Sequence, residues 1–302
     1  MRILITGAGG FLGTHLVNFL KKIPEVDFEF FSLGLNENEN CEHLFLDDIN
    51  NKNLINKHIS RIRPNYLFHL AGTSNNQENI IQNSLVNTDF ARFMLESIEN
   101  NNLQDYIKIL ITGSAAEYGV VSLSDLPISE EQTPKPVSTY GKTKYAQTIH
   151  ATKWQQNRKK LVIVRPFNII GQNMPKHLAL GSFIDQIESI SKKGNIKTGN
   201  LNAKRDFIDV SDVVNLMWKL VNNENAFGEI INICTGIGTP ISDILDKIID
   251  LSGKEINIVN EKTRLKENDV SIHFGCNKKL LKIIGEYNFI SWEEAINTVM
   301  SN

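Results

Sequence analysis

A run of small residues, Gly7-Ala8-Gly9-Gly10-Phe11-Leu12-Gly13, separates an apolar pentapeptide at Arg2–Thr6 from a segment of helical periodicity at Phe11–Lys22. The pentapeptide reads as a strand buried on both faces, and Leu12, Leu16, Phe19 and Leu20 share one side of the helix that follows. A strand that turns directly into a helix through glycines at 7, 10 and 13 leaves unpaired backbone N–H groups and the positive end of a helix dipole facing one point. A glycine triplet alone marks an ordinary turn. Strand, triplet and helix in this order suit a bound pyrophosphate, with Gly7, Gly10, Phe11 and Leu12 around it.

The same alternation continues along the first half. Strands are expected at Asp27–Leu33, Tyr66–Leu70, Ile107–Thr112 and Leu161–Arg165, and helices at Leu54–Ile62, Ile80–Ile98 and Thr139–Gln156. This predicts an α/β fold, a Rossmann-type doubly wound parallel sheet with helices on both faces. After Pro166 the pattern loosens. Helices are expected at Phe183–Lys192, Ser211–Asn222 and Ile241–Leu251, the last with Thr239 as N-cap and Pro240 at its first position. Glu229–Cys234 reads as a strand, and Ser291 with Glu294 forms a capping box for a final helix. No Gly/Ser linker marks a boundary. The division predicted is a dinucleotide-binding domain over 1–167 and a smaller C-terminal α/β substrate region over 168–302, with about 206–235 returning to the first domain.

Composition narrows the partners. A formal charge of -2 over 302 residues gives no field to attract nucleic acid or an anionic membrane, so an anionic ligand must be held by local groups. Cys41, Cys234 and Cys276 form neither a disulfide pattern nor a metal-ligand spacing, and the opening MRILITGAGG lacks the apolar stretch of a signal peptide. No apolar run is long enough to cross a bilayer. A cytoplasmic location and no metal are expected.

Further cofactor contacts are read from strand ends. Asp48 and Ile49, in Leu46-Asp47-Asp48-Ile49, are candidates for the adenine, and Leu70-Ala71-Gly72 offers a small-residue backbone that can pass close to a cofactor. His69, just before it, reads as a packed strand residue. An acid at the end of the second strand would bind the ribose 2′-hydroxyl, and an arginine a 2′-phosphate. Phe30-Phe31-Ser32-Leu33-Gly34-Leu35-Asn36 holds neither, so Ser32 is the candidate contact and NADPH is allowed alongside NADH.

Tyr140 and Lys144 stand four apart on one helix face. A tyrosine of ordinary pKa about 10 is expected to be lowered by a nearby ammonium, and such a pair can exchange a proton with a carbonyl or an alcohol. A Tyr-x-x-x-Lys match alone is common by chance. Ser114 lies just past the strand Ile107–Thr112, at the active-site edge of an open sheet, where a hydroxyl can hold the reacting oxygen.

Glycine triplet, strand-end serine and Tyr-x-x-x-Lys, in this order on alternating elements, resemble the extended short-chain dehydrogenase/reductase family of sugar-nucleotide epimerases, dehydratases and reductases, over essentially the whole chain. The resemblance implies Tyr140 as the acid/base, Lys144 as its partner and holder of the nicotinamide ribose, and Ser114 as the third member. It implies that Asn168, Arg205 and Arg264 hold a nucleotide diphosphate, for which the planar fork of arginine is suited. Gly199–Phe207, Asn232–Thr239 and Ser129-Glu130-Glu131 resemble the family's 4-ketoreductases acting on GDP-linked 4-keto-6-deoxy sugars. The dehydratases place Asp-Glu directly after the Ser/Thr; here Ala115-Ala116 follows, and Glu117 is displaced by one position. The reading is NAD(P)H-dependent reduction of a C4 ketone. A 4-epimerase retaining NAD, using the same three residues, and a non-catalytic NAD(P)-binding regulator are the alternatives. The family also implies a homodimer, with long helices packed around Phe93 and Tyr145.

Overall fold

Residues 1–24, 27–74, 84–156, 160–261 and 270–301 are described by a computed structural model. Seven strands form one sheet: β1 (Arg2–Thr6), β2 (Glu29–Gly34), β3 (Glu42–Phe45), β4 (Tyr66–His69), β5 (Lys108–Thr112), β6 (Leu161–Pro166) and β11 (Ile230–Ile233). Their order is β11-β6-β5-β4-β1-β2-β3, and every pairing is parallel. Parallel strands must be connected by crossovers that cover the sheet, which is why its central strands read as apolar runs. Ile3, Leu4 and Ile5 of β1 have no exposed surface.

The two faces carry separate cores. On one, α1 (Phe11–Leu20) and α6 (Val210–Val221) bury Leu16, Val17, Leu20, Val213, Leu216 and Met217. On the other, α2 (Lys52–Ile62), α3 (Phe90–Asn100) and α4 (Thr139–Gln155) cover the sheet with residues such as Ile55, Ile59, Met94 and Ala151. The helix expected over Ile80–Ile98 enters the described residues as a π-turn at Leu85–Asp89 and continues as α3. Its first residues lie outside them.

A third core sits under the C-terminal part. There α5 (Ala179–Glu188), α7 (Ile241–Ser252) and α8 (Trp292–Met300) pack Phe183, Ile187, Ile244, Ile248 and Ile296 together. Short pairings hold this part to the cavity: β7 (Asn168–Ile170) with β10 (Phe207–Asp209), and β9 (Lys204–Arg205) between β12 (Thr239–Pro240) and β14 (Ile272–His273). Strands β8 (Lys193–Thr198) and β13 (Glu255–Asn260) pair in parallel beside it. The seventh strand, β11, returns to pair with β6 in the large sheet.

Four expectations change. The helix placed at Phe183–Lys192 runs instead over Ala179–Glu188, because the chain must turn before β8 begins at Lys193. Thr239 does not cap α7: it pairs across β12 with Arg205, and Pro240 takes the N-cap position with no side-chain bond. β3 and the β8/β13 pair are additional strands, too short or too polar to show as apolar runs. Phe93 is not free for a partner helix. It is buried in the chain's own core, with the Lys52 and Arg92 cations over its ring at 4.4 and 4.5 Å. The Ser291/Glu294 capping box is present as read.

Candidate active site

A cavity of ≈ 1470 Å³ opens at the C-terminal edge of the large sheet. There β1 lies between β2 and β4, and the chain leaves these strands toward opposite sides of the sheet. Such a switch point leaves a crevice between the diverging crossovers. Gly7 adopts a φ of 74°, and an added Cβ there would lie 2.8 Å from the Ala71 nitrogen. A Cβ on Gly13 would overlap the Gly7 carbonyl oxygen. Gly10 caps α1 with no side chain over the helix end. This backbone-only cradle, open to the positive end of α1, fits a pyrophosphate. Gly7, Gly10, Phe11, Leu12, Ile49, Leu70, Ala71 and Gly72 all line the cavity.

Two candidate contacts lie elsewhere. Asp48 is exposed, and its Oδ1 accepts from the Asn50 backbone nitrogen at 2.9 Å and from Asn50 Nδ2 at 3.2 Å, closing the turn before α2. Ser32 is buried with its hydroxyl 2.8 Å from His43 Nδ1 on β3, off the cavity wall. The reason is length: β2 runs on to Gly34, so Leu33, Gly34, Leu35 and Asn36 reach the edge instead.

The proposed chemical residues converge at the tips of β4 and β5. Ser138 caps α4 by accepting from the Gly141 nitrogen, which sets Tyr140 and Lys144 in the first turns of the helix, on the cavity wall. Ser114, just past β5, lies beside Tyr140 on the cavity wall. Lys144 is buried, and its Nζ donates to Thr112 O at 2.9 Å, Gln147 Oε1 at 3.1 Å and Ala71 O at 3.3 Å. Burial lowers Lys144 to about 8, against the opposing pull of the Glu117 carboxylate. Tyr140 departs from expectation. Burial raises it above the ordinary tyrosine value, the negative charge of Glu117 adds to the rise, and only the neighbouring Ser114 hydroxyl opposes it. The Lys144 ammonium is turned toward carbonyl oxygens, so in this state it does not draw out the tyrosine proton.

Several supporting residues escaped the sequence reading. Asn87 is buried in the π-turn, accepting from Thr73 N at 2.7 Å and donating to Thr73 O at 3.0 Å and Thr143 Oγ1 at 2.9 Å. It ties the segment after β4 to α4. With Thr88 and Asp89 directly after it, nothing in the sequence sets it apart. Glu117 is wholly buried and paired with Arg165 of β6 at 2.8 Å. It therefore points into the protein and away from the cavity. His69 donates or accepts with Thr6 Oγ1 at 2.9 Å and is lowered to about 3 by burial and by Lys144, which keeps it neutral.

The opposite end of the cavity is built from side chains. Asn168 and Arg205 both line it. Asn168 Nδ2 donates to Asp206 O at 3.0 Å, and Arg205 Nη1 donates to Lys204 O at 2.9 Å. His273, across from Arg205 in the β9/β14 register, lines the same wall and is lowered to about 4 by burial and by the Arg205 cation. Asp206 is the keystone between these residues. Its buried carboxylate accepts from Thr235 N at 2.9 Å, Thr235 Oγ1 at 2.8 Å, Gly236 N at 2.9 Å and Gly275 N at 3.3 Å. The Ser74 hydroxyl meets His177 Nε2 at 2.7 Å, joining the two sides of the cavity. Arg264 lies outside the described residues.

The segments singled out around Glu130 and Asn232 also prove to be supports. Glu130 Oε1 accepts from Asn232 N at 2.8 Å, while the Asn232 side chain accepts from Tyr118 OH at 2.7 Å and donates to Ile128 O at 3.0 Å. Among the described residues, no group of three His, Cys, Asp or Glu could hold a metal ion, and no helix is long and apolar enough to cross a membrane.

Comparison with known proteins adds the following. The model of the NAD dependent epimerase/dehydratase family matches residues 3–234. GDP-6-deoxy-D-talose 4-dehydrogenase of Aggregatibacter actinomycetemcomitans is 29% identical over 306 residues, covering 100% of this chain and 98% of the relative. GDP-6-deoxy-D-mannose reductase of Pseudomonas aeruginosa is 25% identical over 197 residues, 64% of each chain. The solved structure of RMD from Pseudomonas aeruginosa complexed with NADPH superposes with a TM-score of 0.84 at 22% identity, over 99% of this chain and 97% of that one. It shares the fold.

Proposed function

The chain belongs to the NAD dependent epimerase/dehydratase family, and from that premise we propose that it reduces the C4 ketone of a GDP-linked 4-keto-6-deoxy sugar, using NADPH or NADH. The observation that carries the proposal is the grouping of Ser114, Tyr140 and Lys144 on the cavity wall with Glu117 turned inward to Arg165. That grouping supplies a proton donor and a cation, and its nearest carboxylate is withdrawn from the substrate. Elimination of water would need that carboxylate in the cavity; carbonyl reduction does not. Two relatives agree in substrate class: one is named for oxidation at position 4 of a GDP-linked 6-deoxy sugar, the other for reduction of one.

Gly7, Gly10 and the start of α1 would hold the cofactor pyrophosphate, Leu70–Gly72 would border the nicotinamide half, and Lys144 would bind its ribose. When bound, the reduced nicotinamide supplies the hydride that adds to C4. Ser114 holds the ketone oxygen, and Tyr140 gives that oxygen its proton, so the ketone becomes an alcohol. Asn168 and Arg205 bind the diphosphate at the far end, with Arg264 as a further candidate. The division of labour is a cofactor domain over 1–167 and a substrate region over 168–302 that lends 206–235 back to the large sheet.

The test mixes enzyme and NADPH with the keto sugar formed in situ by a 4,6-dehydratase. NADPH consumption in step with a 6-deoxyhexose product is expected, with no water elimination from GDP-mannose. Tyr140→Phe should slow the reaction roughly a hundredfold or more, the scale of a positioned acid, with cofactor affinity nearly unchanged. Interconversion of UDP-glucose and UDP-galactose without net NADPH use would overturn the reductase reading in favour of an epimerase. A homodimer is proposed as well, through the outer side of α4, where Tyr145 is half-buried and Ile149 is 37% exposed. A monomer mass by light scattering at micromolar concentration would exclude it.

A further inference from the structure

Behind the chemical residues lies a buried ion pair that touches no part of the cavity. Glu117 is 0% exposed and Arg165 2%. Arg165 Nη2 and Nε reach the same carboxylate oxygen, Oε2, at 2.8 and 2.9 Å. The other oxygen, Oε1, accepts from the Ser114 backbone nitrogen at 2.9 Å and from Thr148 Oγ1 at 3.1 Å. A backbone amide and a guanidinium can only donate, so the ionised carboxylate is the form these partners fit. Gly113 is shaped to the same group: a Cβ there would overlap Glu117 Oε1. The tip of β5 is thus moulded on this carboxylate. Thr148, which it holds, stands one helical turn beyond Lys144 on α4.

The two charges of the pair are not equidistant from the chemistry. The guanidinium lies over the Tyr118 ring at 4.7 Å, toward Asn232 and Glu130, while Oε1 faces Ser114 and α4. We propose that Glu117 is a positioning residue: it fixes Ser114 at the strand tip and sets a fixed negative charge behind Tyr140 and Lys144, so that both hold their protons in the resting site. This rests on the proton-donating role proposed for Tyr140. The groups facing Glu117 are Arg165 from β6, Tyr118 from its own turn, and Tyr140 and Lys144 from α4; Glu130 lies beyond Arg165, and neutral His69 of β4 lies beyond Lys144. Consistent with the geometry, Glu117 raises both Tyr140 and Lys144, favouring the protonated form of each. A negative charge there disfavours the phenolate, so Tyr140 rests as the protonated phenol and little tyrosinate is present to take the proton of an alcohol.

The test uses Glu117→Gln together with the double variant Glu117→Gln/Arg165→Met, which removes both charges in case a lone Arg165 prevents folding. Ultraviolet difference titration of phenolate, read against Tyr140→Phe in each background, should show Tyr140 ionising at lower pH in both variants. With NADPH and the keto sugar, kcat should fall roughly tenfold to a hundredfold, the scale of a displaced catalytic group, KM should change little, and the basic limb of the rate profile should move to lower pH. A variant that folds with neither the titration nor the limb displaced overturns the proposal, as does failure of both variants to fold, which would make the pair a folding requirement only. If the unaltered protein reduces no keto sugar, the proposed reaction falls while the phenolate titration still decides the role of Glu117.

Discussion

The two ends of the cavity are built by different means. At the cofactor end the wall is main chain: Gly7 and Gly13 bring β1, α1 and the segment after β4 so close that a methyl group would collide with backbone. Those positions lie within seven consecutive residues. At the substrate end the wall is side chain, and its parts come from three places far apart in sequence: Asn168 after β6, Arg205 on β9 and His273 on β14. Asp206 makes that assembly possible by gathering the backbone of Thr235, Gly236 and Gly275 onto one buried carboxylate. A backbone cradle recognises what all dinucleotides share. A side-chain wall can be altered one residue at a time without disturbing the fold, and that is where substrate choice is expected to reside.

The contrast is open to direct attack. The largest effect is expected from Gly13→Ala. The added methyl meets the Gly7 carbonyl and the Ala8 backbone, none of which can rotate away. Overpacking of this kind costs about 1–3 kcal/mol or more, and cofactor binding should be lost with it. Thermal unfolding and cofactor titration check both; a variant that binds cofactor normally would show that the cradle is not the binding element. Arg205→Ala should be milder and confined to the other end. Loss of a charge-assisted contact to phosphate costs roughly 1.5–3 kcal/mol, read as weaker sugar-nucleotide binding by calorimetry with cofactor affinity retained. Equal loss of both affinities would make Arg205 a structural residue and erase the distinction between the ends.

This difference also governs what could be read from the sequence. The seven-residue glycine segment, Tyr140 with Lys144, and Ser114 were legible because each is local: a turn, one helix face, a strand end. The apolar strands of the large sheet were legible for the same reason. Ser32 shows the limit of that reasoning. Its distance from the cavity depends on where β2 stops, and one residue of extra strand transfers the role to Leu33–Asn36. Phe93 looked available for a partner because periodicity shows that a helix has several apolar faces, but not that Lys52 from α2 covers one of them. Asp206 and Asn87 were not legible at all, and of Glu117 only its displacement from the dehydratase position was. Each is a polar side chain whose partners are brought to it by other elements, and no pattern in one segment announces an ion pair formed across two strands and a turn.

The smallest predicted effect lies where the cofactor end gives up its backbone character. Backbone N–H groups at Gly7–Gly10 treat NADH and NADPH alike, since the two differ only at the adenosine ribose. Discrimination there falls to the end of β2, where Leu33, Gly34, Leu35 and Asn36 line the cavity. None carries a charge. No carboxylate repels a 2′-phosphate, and no guanidinium captures one. The two cofactors should therefore bind within about tenfold of each other, a difference of about 1.4 kcal/mol. Asn36→Asp would place a carboxylate on that wall and should shift the balance toward NADH, with pyrophosphate binding and the fold unaffected. Fluorescence titration of both cofactors against both proteins reads the ratio directly. NADH binding with no measurable NADPH binding in the unaltered protein would show that some other group already guards the ribose, and the cofactor end would then share the side-chain logic of the substrate end.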